Sequence, residues 1–233
     1  MRSLLRTLDG PLARDIALVC VADTIVGVSF GAIAVSAGLP LWLPILLSVV
    51  VFAGAAQFMF VGIVAAGGNP IAAVVAGLLV NARHLPFGFA IGDLLDGGWV
   101  RRIAGTHLMI DESVAFALAQ REPDRRRAAY WTCAISLFAC WNAGVMLGAF
   151  GGNALRDTAA LGLDAAFPAV LLALVVPSLR DAPTRRAAFA GVLIALATAP
   201  LLPAGMPVLL ALAGLLAGRG TAPSAETAQE PTS

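Results

Sequence analysis

The chain of 233 residues is 59% hydrophobic and only 12% charged, with a formal net charge of +1 and a mean hydropathy of +0.88. Soluble domains are about 45–50% apolar and about 25% charged, so the composition excludes an ordinary soluble domain and specifies an integral membrane protein. The small net charge removes any global electrostatic argument for nucleic acid, and every basic residue is Arg.

The opening MRSLLRTLDGPLARD lacks the continuous apolar run and small-residue cleavage site of a secretory signal. Residues 1–15 are therefore expected to be a cytoplasmic N-terminal segment. Hydropathy predicts a first span over 16–38, with Asp23 inside it, and a second over 43–66, closed by Gly67-Gly68-Asn69-Pro70. The third, 71–95, carries Asn81, Arg83, His84 and Pro86. The fourth, 101–120, holds His107, Asp111 and Glu112. Read as one helix, it sets His107 and Asp111 at i, i+4 on a shared face; read otherwise, it lies amphipathically at the interface. The fifth covers 128–150 and the short sixth 165–179. Half-length pieces follow at 187–199 and 206–217, around Pro200, Pro203 and Pro207. Residues 218–233 form a polar tail, expected to be disordered. The fold class is all-α, a polytopic membrane protein of about six to eight transmembrane helices. Some are short or discontinuous, and 16–217 make a single transmembrane domain.

Orientation follows from the Arg distribution. If every segment crosses, Arg2, Arg6, Arg14, Arg121, Arg125–Arg127, Arg180, Arg185, Arg186 and Arg219 lie inside. Arg101, Arg102 and Arg156 lie outside. Both termini are then cytoplasmic, and Trp42 and Trp99 fall in two external loops. A rival arrangement with the third and fourth segments re-entrant satisfies the same rule. Cys20, Cys133 and Cys140 fall in apolar segments and read as packing residues. The runs VGVSFG (26–31) and PFGFAIG (86–92) are loosely alike, which this composition explains by chance.

Arg83 is the costly residue. Residues 24–82 contain no Asp, Glu, Lys or Arg, and Arg83 falls about 20 Å along a helix begun near Pro70. An Arg near the bilayer centre costs about 2.5–3.5 kcal/mol on insertion scales. Pro86 lacks an N–H and is expected to free a carbonyl near Ala82, so the third segment reads as a broken helix of the kind transporters place at midplane. The structural alternative is a kinked helix whose Arg pairs with a buried acid for assembly. Asp23, Asp111 and Glu112 are the candidate counter-charges. Gln57, in FAGAAQF with Gly54 and Ala55, reads equally as a site residue or as interhelical glue. Asn142 reads as glue. The chain lacks H-E-x-x-H and a P-loop, so no enzyme, metal or cofactor is expected.

VFAGAAQFMFVGIVAAG (51–67), LVNARHLPFG (79–88) and HLMIDES (107–113) together resemble the AzlC family of branched-chain amino-acid permease subunits, over about residues 12–217. The family commonly has a Pro near the F-G of the first segment and a Tyr where this chain has Phe87. The resemblance implies export of hydrophobic amino acids across the bacterial cytoplasmic (inner) membrane. It also implies a small AzlD-type membrane subunit as partner. The expected substrate site is Gly54, Ala55, Gln57, Asn81, Arg83, Asp111 and Glu112. Arg83 would hold the carboxylate, Asp111 or Glu112 the ammonium, and the surface at 54–56 the side chain. His84, His107 and Asp23 are the candidates for proton coupling. A channel-like pore for a small neutral solute or ion is the alternative.

Overall fold

A computed structural model describes residues 9–152, 172, 176–202 and 206–218. The expected span over 165–179 lies mostly, and the tail after Gly218 wholly, outside the described residues. The chain forms two compact units, residues 1–171 and 172–233. In the first unit the helices are α1 (Gly10–Ser36), α2 (Trp42–Val50), α3 (Gly54–Ala65), α4 (Pro70–Asn81), α5 (His84–Ile91), α6 (Trp99–His107), α7 (Asp111–Leu118) and α8 (Pro123–Gly152). A 3-10 turn at Gly92–Leu95 extends α5. Among the described residues, three stretches are long and apolar enough to cross a membrane: Gly10–Ser36, Pro70–Leu95 and Pro123–Gly152.

α1 starts where the Asp9 carboxylate accepts the Leu12 N–H at 3.1 Å, a cap that satisfies one of the orphan donors of the first turn. Its hydroxyls bond back within the helix, Thr24 to the Cys20 carbonyl and Ser29 to that of Ile25, so they enter an apolar environment already satisfied. α1 and α8 run side by side in the same direction. Arg125 meets Asp9 at 2.7 Å at their starts, a Cβ on Gly27 would lie 2.9 Å from the Trp141 carbonyl, and one on Gly152 would lie 3.1 Å from Ala32 near their ends. Gly27 and Gly31 face Gly144 and Gly148, each spaced by four residues. Such small-residue stripes let two helix backbones approach closely in lipid. Phe30, Phe58 and Trp141 pack around the contact, with Phe30 and Trp141 stacked at 5.9 Å.

The second expected span is not one helix. α2 runs down α8 until the Ser48 hydroxyl donates to Asn142 Oδ1 at 2.6 Å. The chain then reverses at Val51–Phe52–Ala53. α3 climbs back, with Gly54 against the Trp141 ring and Phe58 against Phe30, six residues before the end of α1. The segment is a re-entrant hairpin that returns to the end it came from. α4 follows α3 through a tight turn in which Gly67 takes φ 76°, descends antiparallel with Gly77 beside Ala56, and α5 continues until Asp93 meets Arg126 at 3.1 Å.

The fourth expected span is broken in the same way. α6 rises along α8, with Gly105 against Trp131 and its carbonyl accepting the Tyr130 hydroxyl at 2.6 Å. It stops at His107, and α7 returns. Leu108–Ile110 separate them, with Ile110 extended at φ −135°, ψ 169°. His107 and Asp111 therefore share no helix face. The break has a local cause: the Ser113 hydroxyl caps the start of α7 through both the N–H and the carbonyl of Ile110. Asp111 and Glu112 lie in the first turn, where negative charge complements the helix dipole.

The two hairpins are copies. α2 and α6 each span nine residues, and their starts (42 to 99) and the starts of α3 and α7 (54 to 111) differ by the same 57 positions. Trp42 matches Trp99, and Phe30-Gly31 matches Phe87-Gly88 at the same offset. Within the runs 26–31 and 86–92, only Phe30-Gly31 and Phe87-Gly88 fall at this offset. The first copy enters from one end of the bundle and the second from the other, so the repeat is inverted. Trp42 and Trp99 consequently sit at opposite ends rather than both in external loops.

In the second unit, α9 (Ala182–Thr198) is capped by Asp181, which accepts from Thr184 N–H at 2.9 Å and its hydroxyl at 2.6 Å. α10 (Met206–Ala211) and the 3-10 turn Leu212–Gly218 pack on it, Gly214 lying against Gly191.

Candidate functional site

Three chain breaks meet inside the first unit: Val51–Ala53 at one hairpin tip, Leu108–Ile110 at the other, and Ala82–Arg83 between α4 and α5. His107 Nε2 donates to the Val49 carbonyl at 2.9 Å and ties the two tips together. The Phe52 ring packs edge-on against Phe138 at 4.9 Å and beside His107 at 6.4 Å. Phe52 itself holds φ 40°, a conformation that costs an L residue with a Cβ about 1–2 kcal/mol. Strain of this kind persists where packing over-determines it and is common at functional sites. Gln57 closes the first tip from within by donating its Nε2 to the Leu47 carbonyl at 2.6 Å.

Pro86 does not make the break in the third segment. It sits in the first turn of α5, where a missing N–H costs nothing, and the Ala82 carbonyl is taken by Leu85 N–H at 3.1 Å. α4 ends because His84 Nδ1 turns back to the Asn81 carbonyl at 2.9 Å. A carbonyl only accepts, so the proton sits on Nδ1 of His84 and on Nε2 of His107, leaving the other ring nitrogens free.

Two cavities adjoin at this point. One of about 270 Å³ is bounded by Phe52, Asn81, His84, Thr106, His107 and Met109, among others. The other, about 150 Å³, lies between α3 and α4 and is lined by Leu47, Ala56, Gln57, Phe60, Ala73 and Gly77, among others. Val51 and Asn81 belong to both.

Arg83 pairs with Asp111, Nη2 to Oδ2 at 2.9 Å, which joins the broken helix to the second hairpin. Its cation is satisfied within the protein, though Nε is buried without a partner. Glu112 lies within electrostatic reach of Asp111, Arg83 and Asp23, so α1 contributes an acid to the same neighbourhood. Of the expected substrate residues, Gln57 and Asn81 line a cavity. Arg83, Asp111 and Glu112 form the charged cluster. Gly54 packs on Trp141, and Ala55 lines neither cavity; on the 54–56 surface only Ala56 does. His84 and His107 do line the larger cavity. Asn142 is glue, as read: it accepts from Ser48 and donates to the Phe138 carbonyl at 2.8 Å. Phe52, Thr106 and the Leu47 and Val49 carbonyls went unseen in the sequence. The one available signal was Gly54, just after the reversal.

An all-α chain whose interrupted helices meet at a polar cavity midway along its longest spans is a helical membrane protein of the broken-helix class. Residues 19–155 match the AzlC protein family, and the chain belongs to it. That match runs from α1 through α8 and so contains the whole site. The chain is 25% identical over 195 residues to the branched-chain amino acid transport protein AzlC of Bacillus subtilis (strain 168), covering 82% of this chain and 76% of that protein. No solved structure matches the chain.

Proposed function

We propose that this chain is the large subunit of a permease that exports branched-chain or other hydrophobic amino acids across the bacterial cytoplasmic membrane, together with a small AzlD-type membrane partner. The observation that carries the reading is the meeting of two inverted hairpin tips and a broken helix at one cavity. Inverted repeats around a midplane site, with half-helix ends facing the ligand, are the recurring plan of secondary transporters. Family membership and the likeness to the Bacillus subtilis protein supply the substrate class.

Arg14, Arg101, Arg102, Arg121 and Arg125–Arg127 sit toward the end of the first unit where Asp9 meets Arg125 and Asp93 meets Arg126. Among the described residues, the opposite end, with 37–41 and 66–69, carries no charge. The positive-inside rule then puts the basic end and the N-terminus in the cytoplasm. The first hairpin enters from outside, the second from inside. Rocking of one repeat against the other opens the cavity alternately to each face. The His107–Val49 bond between the tips breaks in that motion. Free ring nitrogens on His84 and His107, and the acids Asp23 and Glu112, carry the coupling proton.

The test is counterflow. Vesicles loaded with unlabelled leucine should accumulate labelled leucine transiently. Flux that rises linearly with concentration and shows no counterflow contradicts a carrier.

A further inference from the structure

We infer that the substrate's ammonium is held by two neutral amide oxygens, Gln57 Oε1 and Asn81 Oδ1, and that its aliphatic side chain fills the cavity between α3 and α4. The inference rests on the transport reading above and sharpens its site. Gln57 is only 1% exposed, and its Oε1 is buried without a hydrogen-bond donor. Its orientation is fixed, because Nε2 donates to the Leu47 carbonyl at 2.6 Å and the flipped amide would face oxygen to oxygen. Asn81 Oδ1 is likewise buried and without a donor. A buried acceptor left unsatisfied costs roughly as much as a lost hydrogen bond, and here the two residues that carry such acceptors both border one cavity.

Both oxygens can only accept, so they select a group rich in donors. An ammonium has three N–H donors and no acceptor. Arg83 is paired with Asp111, and none of Arg83, Asp111, Glu112 and Asp23 lines the α3–α4 cavity. Apart from Gln57 and Asn81, that cavity presents aliphatic and aromatic groups, among them Leu47, Val51, Phe60 and Ala73. Its volume is about 150 Å³, and an engineered apolar cavity of about that size holds benzene, so a four-carbon side chain fits. Asn81 stands where this cavity meets the one lined by His84 and His107. A branched-chain amino acid can thus lie with its ammonium at Asn81 and Gln57 and its side chain between α3 and α4.

A site built around buried acceptors rejects an analogue that lacks the donor far more strongly than it rejects a missing methylene. The experiment measures leucine and 4-methylpentanoate, which is leucine without its ammonium, as competitors of labelled leucine. It uses membrane vesicles from cells expressing the full chain with its chromosomal neighbours. The wild type should prefer leucine by at least about 100-fold. Asn81→Leu, which leaves the backbone carbonyl bonded to His84, and Gln57→Met should each bring that preference within about 10-fold. Gly77→Ala, whose added methyl meets Ala56 at an ordinary 3.6 Å, should move selectivity from leucine toward valine by about tenfold. An unchanged leucine preference in both amide variants, or an equal fall for both ligands, overturns the ammonium assignment while leaving the transport reading intact. An unchanged leucine-to-valine ratio in Gly77→Ala gives the cavity to a lipid chain and overturns the side-chain assignment. A wild type that takes up no branched-chain amino acid overturns the transport reading and this inference with it.

Discussion

Arg83 looked, from its cost in lipid, like a residue kept for cargo. Its guanidinium reaches Asp111, one of the three expected counter-charges, at 2.9 Å, with the two side chains 34% and 28% exposed. Removing one partner of a fully buried pair costs about 3–5 kcal/mol, and an exposed pair is worth about 0.2–1 kcal/mol. At this partial exposure Arg83→Ala should cost about 1–3 kcal/mol, read by thermal unfolding in detergent. Asp111→Ala added to it should restore part of the loss, because the stranded carboxylate is then gone. If the double variant is no more stable than Arg83→Ala, the guanidinium serves something other than Asp111. The sequence could name three acids for Arg83 but not choose among them. The choice depends on where the second hairpin turns, and that is set by Ser113 and the extended Ile110, not by the acids themselves.

At the scale of elements, the long helices were legible and the hairpins were not. α1, the α4–α5 pair and α8 each present a mostly apolar stretch of full bilayer length, despite Asp23 in the first and Asn81, Arg83 and His84 in the second, which hydropathy reports directly. α2 with α3 presents a run just as apolar, yet the chain reverses at Phe52. Hydropathy cannot register a reversal whose flanks are as greasy as a straight helix, and a bulky residue at positive φ carries no sequence signal. The α1–α8 contact makes a sharper prediction. A side chain on Gly31 would overlap the Val145 carbonyl and lie 2.6 Å from the Ala149 nitrogen. Overpacking of this kind costs about 1–3 kcal/mol, so Gly31→Val should lower the unfolding temperature clearly. Gly62→Ala, with nothing within 4 Å, should stay within about 0.5 kcal/mol of the parent. The start of the same pair is sensitive to pH. The Arg125 guanidinium, then the Leu12 N–H, hold the Asp9 carboxyl below its usual range. A depressed folded value means this contact is complete above the unfolded carboxylate pKa of about 3.9 and is lost as pH falls through the folded value. Arg125→Gln should therefore lower stability slightly near neutrality, where the exposed contact is complete, and flatten the acid limb, the two proteins converging as pH falls below the unfolded carboxylate value.

For the whole first unit, the inverted repeat organises everything else. Its two copies share little sequence beyond Trp42 with Trp99 and Phe30-Gly31 with Phe87-Gly88, because each copy packs in a different setting and only the backbone breaks must coincide. It also predicts a topology that the Arg rule alone left open. Trp42 and Trp99, both well exposed at 60% and 75%, mark the entries of the two hairpins. In a background lacking Cys20, Cys133 and Cys140, Trp42→Cys and Trp99→Cys should react with an impermeant thiol reagent from opposite faces of the membrane. Labelling of both from outside would restore straight crossings and remove the repeat. The central claim is that the cavity between the hairpin tips is where the amino acid binds. It is tested most directly by the labelling rate of Ala53→Cys in the same background, in transport-active vesicles with and without leucine. Leucine should slow that rate several-fold and leave Gly62→Cys, away from both cavities, unaffected; equal rates at residue 53 with and without leucine would contradict the account.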